Sequence, residues 1–337
     1  MDQNLKTSTN DNTHIGLQNF IRTNATQLVT LGVLILLCIG MSFLSSAFLT
    51  TRNLINIPLQ ACLVGIMAVG MSFVIFSGGI DLSVGSILAL CVTILGDLVV
   101  NRGVPALLAV IICLVIGTGC GALSGVLITK VNMPPFIVTM GAMQLWRGVA
   151  LEWVDGVAIY GVPESIGFLG SSYLGNPKTN DFAIPYAVLL LIVLYGVAYF
   201  ILKKTSFGMH TYAIGDNEKA SQLSGIKVHK SKIYIYAISG LTCAIAAIVA
   251  MGRMNGANPL IGQSYELEAI AGVAIGGASM SGGIGNIWGT LIGVLIVQVI
   301  RNGMNILALS PYYQQMIIGI IIIISVGIDC FRRRKVN

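Results

Sequence analysis

Apolar runs of about 17 to 25 residues recur from Leu28 almost to the end of the chain, separated by short polar segments. Runs of that length cross about 30 Å of hydrocarbon as helices. The charge content agrees: 9% of the 337 residues are charged and 55% are hydrophobic, against roughly 25% charged in an average soluble domain. That leaves too little polar surface for a soluble globule. The expected fold class is an all-α polytopic membrane protein.

The periodicity and hydropathy place about ten spans, near 28–48, 54–76, 84–100, 105–129, 134–150, 184–202, 233–252, 266–280, 287–305 and 313–330. An even number puts both termini on one side. With the N-terminus inside, the inner segments hold Lys6, Arg22, Lys130, six lysines between 203 and 232, Arg332, Arg333, Arg334 and Lys335, or 13 basic residues. The outer segments hold 6, Arg52, Arg102, Arg147, Lys178, Arg253 and Arg301. Basic residues are retained on the cytoplasmic side, so both termini are expected there. The net charge of +6 is thereby accounted for without nucleic acid, since no basic stripe forms.

Three parts follow: a polar cytoplasmic segment 1–26, a single transmembrane domain 27–330 and a basic cytoplasmic tail 331–337. The run from Leu28 to Leu49 is longer than the apolar stretch of a signal peptide and follows a weakly basic segment, so it reads as a first anchor. The seven cysteines (Cys38, Cys62, Cys91, Cys113, Cys120, Cys243, Cys330) sit in or beside apolar runs without CxxC or Cys/His spacing. They read as small buried hydrophobes, and no metal or cofactor is expected.

Two connections are long. Residues 151–183 face outward, and residues 203–232 face the cytoplasm. In the second, Asn217 is placed to cap a short helix from Glu218 to Leu223, which Gly225 ends. With Ala220 and Leu223 on it, this helix is either a docking knob or part of a solvated linker.

A glycine-rich break occurs twice between apolar runs, as SGGIDLSVGS at 77–86 and SGGIGNIWGT at 281–290. Irregular backbone survives at membrane depth only where protein or water surrounds it, and matching breaks often flank a transport path. Ser77, Gly78, Gly79, Gly282 and Gly283 are therefore candidate gate residues in an internal pseudo-repeat; the alternative is a turn that ends a helix. Both breaks fall on the cytoplasmic side of the span count. Asp81 either caps the next helix together with Ser83 or takes part in the gate. Glu266 and Glu268 pose the same choice, and their spacing of two keeps them off one helix face. Gln60 and Gln144 lie in spans, able to touch a hydroxylated solute or another helix. Gly117, Gly121 and Gly125 repeat every four residues; GTGCGA fits a dinucleotide pattern only formally, and close helix packing is the reading. There is no GxxxxGK[ST], HExxH or GxSxG, and no acidic chain in the spans for proton relay.

Several segments carry a family resemblance: NLINIPLQACLVGIMAVGMSFVIFSGGIDLSVGS (53–86), NMPPFIVTMGAMQLWRGVA (132–150), TSFGMHTYAIGDNEKASQLSGIKV (205–228) and YELEAIAGVAIGGASMSGGIGNIWGTLIGVLI (265–296). The chain resembles the membrane permease subunits of bacterial ABC importers for monosaccharides, the group that includes ribose, xylose and galactose permeases. The resemblance implies a homodimer with an architecture like that of the vitamin B12 importer, in the bacterial inner membrane. It implies a cytoplasmic ATP-binding cassette subunit docked on the 205–228 loop and an extracytoplasmic sugar-binding protein outside. Gly215, Asn217, Ala220 and Gly225 fall on family motif positions, with Glu218 and Leu223 between them; Asp216 departs from the usual Gly. Arg52, Arg102 and Arg253 are expected to meet acidic patches on the binding protein. The expected function is the passage subunit for a monosaccharide, ribose favoured. The alternative is a facilitator working alone.

Overall fold

A computed structural model describes residues 25–175 and 183–334. Most of the expected polar segment 1–26, together with Lys178, Asp181 and Lys335, lies outside the described residues. Among the described residues thirteen α-helices account for nearly all regular structure: α1 Ala25–Leu44, α2 Thr51–Phe76, α3 Val84–Gly96, α4 Ala106–Lys130, α5 Pro135–Glu152, α6 Glu164–Ser171, α7 Tyr186–Lys204, α8 Ser206–Asp216, α9 Glu218–Leu223, α10 Val228–Met254, α11 Tyr265–Ile275, α12 Ile287–Ile306 and α13 Pro311–Arg334. A π-turn, Asp97–Asn101, extends α3.

Seven of these are long and apolar enough to cross a membrane: residues 27–44 of α1, α2, α3 with its π-turn, α4, α7, α10 and α12. Three expected spans fall outside that set. α5 has 18 residues but carries Arg147 and Glu152, which lower its hydropathy. Over its described side chains, α13 counts as a shorter apolar helix, Pro311–Gly327, that opens with polar Gln314 and Gln315. The expected span 266–280 is a helix of 11 residues, α11, about 16 Å at 1.5 Å per residue. Ser264 at its start adopts φ 65°, and Gly277 just beyond its end adopts φ 87°, so both ends are set by left-handed backbone that an apolar run does not announce.

The centre of the bundle is made by α2, α3 and α10. From Ala61 to Phe76 and from Val84 to Gly96 every residue is buried, so these stretches have no polar face. The periphery is the reverse. α1, α4, α7 and α13 turn outward bare apolar side chains such as Leu36, Leu107, Val193 and Ile323, the composition of a lipid-facing surface.

Small residues set the closest helix contact. Gly117, Gly121 and Gly125 line the face of α4 that meets α10. A Cβ on Gly117 would meet the Gly240 carbonyl, one on Gly121 the Tyr236 carbonyl and one on Gly125 the backbone of Ile233. This is the small-residue packing read from the four-residue spacing. The cysteines follow their expected role: Cys62, Cys91, Cys113, Cys120 and Cys243 are buried, Cys38 is half-buried, and none of these six is bridged.

Residues 151–183 are tied down at their ends. β1 (Ile159–Tyr160) pairs antiparallel with β4 (Gly256–Ala257), and β2 (Tyr173–Leu174) with β3 (Ile184–Pro185). Between them α6 lies against the end of α10, where Gly167 and Gly170 meet Gly252.

Candidate functional site: two glycine breaks against a surface helix

The two glycine breaks, about 200 residues apart in sequence, meet at the C-terminal end of α2. Gly283 donates its N–H to the carbonyl of Phe76, the last residue of α2, at 3.0 Å. Gly78, Gly282 and Gly283 adopt φ of 80°, 87° and 75°, so the turns depend on glycine there. The two loops are close enough that a Cβ on Gly282 would meet the Gly78 nitrogen at 2.7 Å and the Gly215 Cα at 2.8 Å. Gly215, near the end of α8, is the third member of this contact. A Cβ there would run into the Phe76 carbonyl and the Gly283 nitrogen, the two partners of the bond that joins the breaks.

α8 is held on this junction by two ring contacts. Phe207 stacks on Phe73 with centroids 6.2 Å apart, and Tyr212 on Phe76 at 5.3 Å. Thr205 caps α8 by accepting the N–H of Gly208 at 3.3 Å. At its other end Asn217 accepts the N–H of Ala220 at 2.9 Å and starts α9, and Gly225 just past α9 has φ 86°. The short helix thus has the expected bounds, cap and stop. It also has the expected exposure: Ala220 is exposed and Leu223 is 89% exposed. Glu218 pairs with Lys232 at 2.7 Å. Asp216, the departure from the family motif, lies against Gly283.

Asp81 is wholly enclosed. Its Oδ1 accepts the Ser83 N–H at 2.9 Å and the Ser83 hydroxyl at 2.6 Å, and its Oδ2 accepts the Ser239 hydroxyl at 2.7 Å. Ser83 itself holds the cap position of α3, so Asp81 acts one step earlier, closing the turn into that helix. Ser239 is the twelfth of the 27 residues of α10. The carboxylate therefore stands level with the middle of a span, deeper than the membrane edge that its place at a helix start suggests. Ser77 closes on its own helix end through Val74, and Gly79 packs under the Tyr236 hydroxyl.

The other candidate carboxylates separate as their spacing requires. Glu268 is buried and accepts from Gln298 at 3.0 Å and from Arg301, with which it forms an ion pair. Glu266 is half-buried and flanks Gly85. Sequence reasoning missed Arg147, whose guanidinium holds the irregular approach to α11. It donates to the carbonyls of Pro259 at 2.8 Å, Ile261 at 2.7 Å and Gly85 at 3.3 Å. An arginine within an apolar run next to Gln144 was the available signal. Gln144 is exposed on α5 and Gln60 half-buried on α2.

The three outer arginines differ. Arg52 is exposed. Arg102 bonds Asp97 at 2.8 Å and lies over the Trp153 ring at 5.7 Å, with its side chain 59% exposed. Arg253 is half-buried and donates to the Leu59 carbonyl at 3.1 Å. Among the described residues no group of three or more His, Cys, Asp or Glu could hold a metal ion.

Comparison with known proteins agrees over most of the chain. It is 44% identical over 301 residues to the ribose import permease protein of Bacillus subtilis, covering 89% of this chain and 91% of the relative. It is 40% identical over 300 residues to the ribose import permease protein of Escherichia coli K12, covering 89% and 92%. It is 35% identical over 325 residues to the fructose import permease protein of Rhizobium meliloti, covering 94% and 89%. No solved structure matches. Residues 53–326, which hold both glycine breaks and the α8–α9 pair, match the family described as branched-chain amino acid transport system / permease component, and the chain belongs to that family.

Proposed function

We propose that this chain is the passage subunit of an ATP-driven importer for a monosaccharide, with ribose the favoured substrate. It works as two identical copies in a bacterial inner membrane, with both termini and the α8–α9 pair in the cytoplasm. A separate ATP-binding cassette subunit docks on α8 and α9, and an extracytoplasmic sugar-binding protein delivers the sugar. The observation that carries this reading is the α8–α9 pair: one helix seated on the junction of two glycine breaks, the next presenting Leu223 outward. The 44% identity to a ribose import permease supports the substrate.

α5, α13, and α11 with its irregular approach through residues 255–264 would complete ten crossings, in an architecture like that of the vitamin B12 importer. The irregular stretch is compatible with membrane depth because Arg147 satisfies two of its carbonyls and surrounding protein buries much of it. The chain does no chemistry on the sugar. Closure of the ATPase on ATP would displace α8, and the paired breaks would let α2, α3, α11 and α12 tilt between inward-open and outward-open arrangements. Asp81, Ser83, Gln60, Gln144, Glu266 and Glu268 are the polar groups nearest this path. Weak contact with the sugar hydroxyls serves release, and the binding protein supplies selection.

Purification of the tagged chain from its own host in mild detergent, with mass spectrometry of what accompanies it, tests the reading. A P-loop ATPase in the complex is the expected result. Sugar transport by a preparation free of any ATPase would make the chain a facilitator and overturn it.

A further inference from the structure

Tyr212 is one side chain that touches both the residue leading into the first glycine break and the second break itself. Its ring stacks on Phe76, the last residue before the first break, at 5.3 Å and 17°. Its hydroxyl donates to the carbonyl of Gly285, in the second break, at 3.1 Å. Lys203, in the last turn of α7, places its Nζ over the same ring, 5.9 Å from the centroid. The breaks are joined to each other beneath it by the Gly283 N–H on the Phe76 carbonyl.

The backbone is close-packed where α8 meets the breaks. A Cβ on Gly285 would run into the Phe76 ring, and one on Gly215 into the Phe76 carbonyl. Packed interiors transmit displacement and do not absorb it. A movement of α8 therefore either breaks the ring stack and the hydroxyl bond or carries Phe76 and Gly285 with it. The neighbouring Phe207–Phe73 contact ties α8 to α2 but does not reach the second break.

We infer that Tyr212 is the positioning residue that makes the two breaks move as one when α8 is displaced, so that it sets how much sugar crosses per ATP. This rests on the docking of an ATPase on α8 and α9. Tyr212 donates to the second break and stacks on Phe76, the residue that leads into the first, and so keeps the two in register through the cycle.

The test uses the full complex of this chain, its ATPase and its binding protein in lipid vesicles, reading radiolabelled ribose taken up and ATP hydrolysed in the same sample. Tyr212→Phe removes the hydroxyl bond and leaves the stack. Association and hydrolysis are expected to persist while ribose per ATP falls about fivefold, the factor to which about 1 kcal/mol for one hydrogen bond converts. Phe76→Leu, which removes the stack and keeps the bond, is expected to lower the same ratio and decides the matter if the first variant does not fold. An unchanged ratio in the folded variants overturns the inference. So does a parallel loss of uptake and hydrolysis, which would mark Tyr212 as structural only. A wild-type chain that retains no ATPase removes the docking reading itself, an outcome visible before any variant is made.

Discussion

The Ser239 hydroxyl donates to Asp81 Oδ2 at 2.7 Å, joining the first glycine break to the middle of the 27-residue α10. The other carboxylate oxygen is served by the Ser83 N–H and hydroxyl, so these three donors to Asp81 are neutral. A buried acceptor that loses its donor costs about 1–3 kcal/mol. Ser239→Ala is expected to lower thermal stability in detergent by that amount, read as an earlier loss of the monodisperse peak on heating. An unchanged melting profile would show that the bond contributes nothing to holding α3 on α10.

The glycine face of α4 gives a paired test. Gly121→Ala places a methyl against the Tyr236 carbonyl, whereas Gly119→Ala, on the same helix, enters open space. Overpacking costs about 1–3 kcal/mol, while alanine for glycine in an open helix site gains up to about 1 kcal/mol. The two variants are expected to shift stability in opposite directions. Equal behaviour would mean that α4 and α10 are less closely packed than the structure has them.

Arg147 is expected to hold residues 258–264 in place. Arg147→Met keeps a long apolar stem but removes the donors to Pro259, Ile261 and Gly85. Faster amide hydrogen exchange across 258–266, with the rest of the bundle unaffected, is the expected outcome. Arg147→Lys restores it incompletely, because one ammonium cannot reproduce the geometry of a guanidinium fork. Exchange that is the same in all three proteins would remove Arg147 from this role.

Leu223 and Gly225 separate docking from folding. Leu223 is 89% exposed, so Leu223→Asp leaves the melting profile as it is and is expected to abolish co-purification of the ATPase. Gly225→Pro should also abolish co-purification, by distorting the end of α9, since φ 86° is closed to a proline ring held near −65° and the Gly225 N–H bond to the Gln222 carbonyl is lost. An ATPase that still co-purifies with both variants would place its docking surface elsewhere.

How much of this was legible beforehand depended on the range over which each signal acts. The Asn217 cap, the helix Glu218–Leu223 and the Gly225 stop were read correctly because a side chain two or three residues away satisfies each free backbone group. The α4 glycines were legible because helical spacing puts them on one face. The length of α11 was not, because the left-handed turns at Ser264 and Gly277 bound the helix without any change in hydropathy at its end to announce them. The burial of Asp81 was not either, because its enclosure comes from α10, more than 150 residues later.

The sequence by itself determined that the chain is a many-span helical protein, where the backbone must break and which long loop carries a capped short helix. Hydropathy, capping and the φ range of glycine are properties of residues and their near neighbours, so they can be read in order along the chain. Only the tertiary structure decided that the two breaks share one junction, that Gly215 and Tyr212 sit on both, and that Arg147 closes the approach to α11. Those relations join segments tens to hundreds of residues apart. They exist only where packing brings a carbonyl of one segment within reach of a donor on another, and nothing local to either segment specifies its partner.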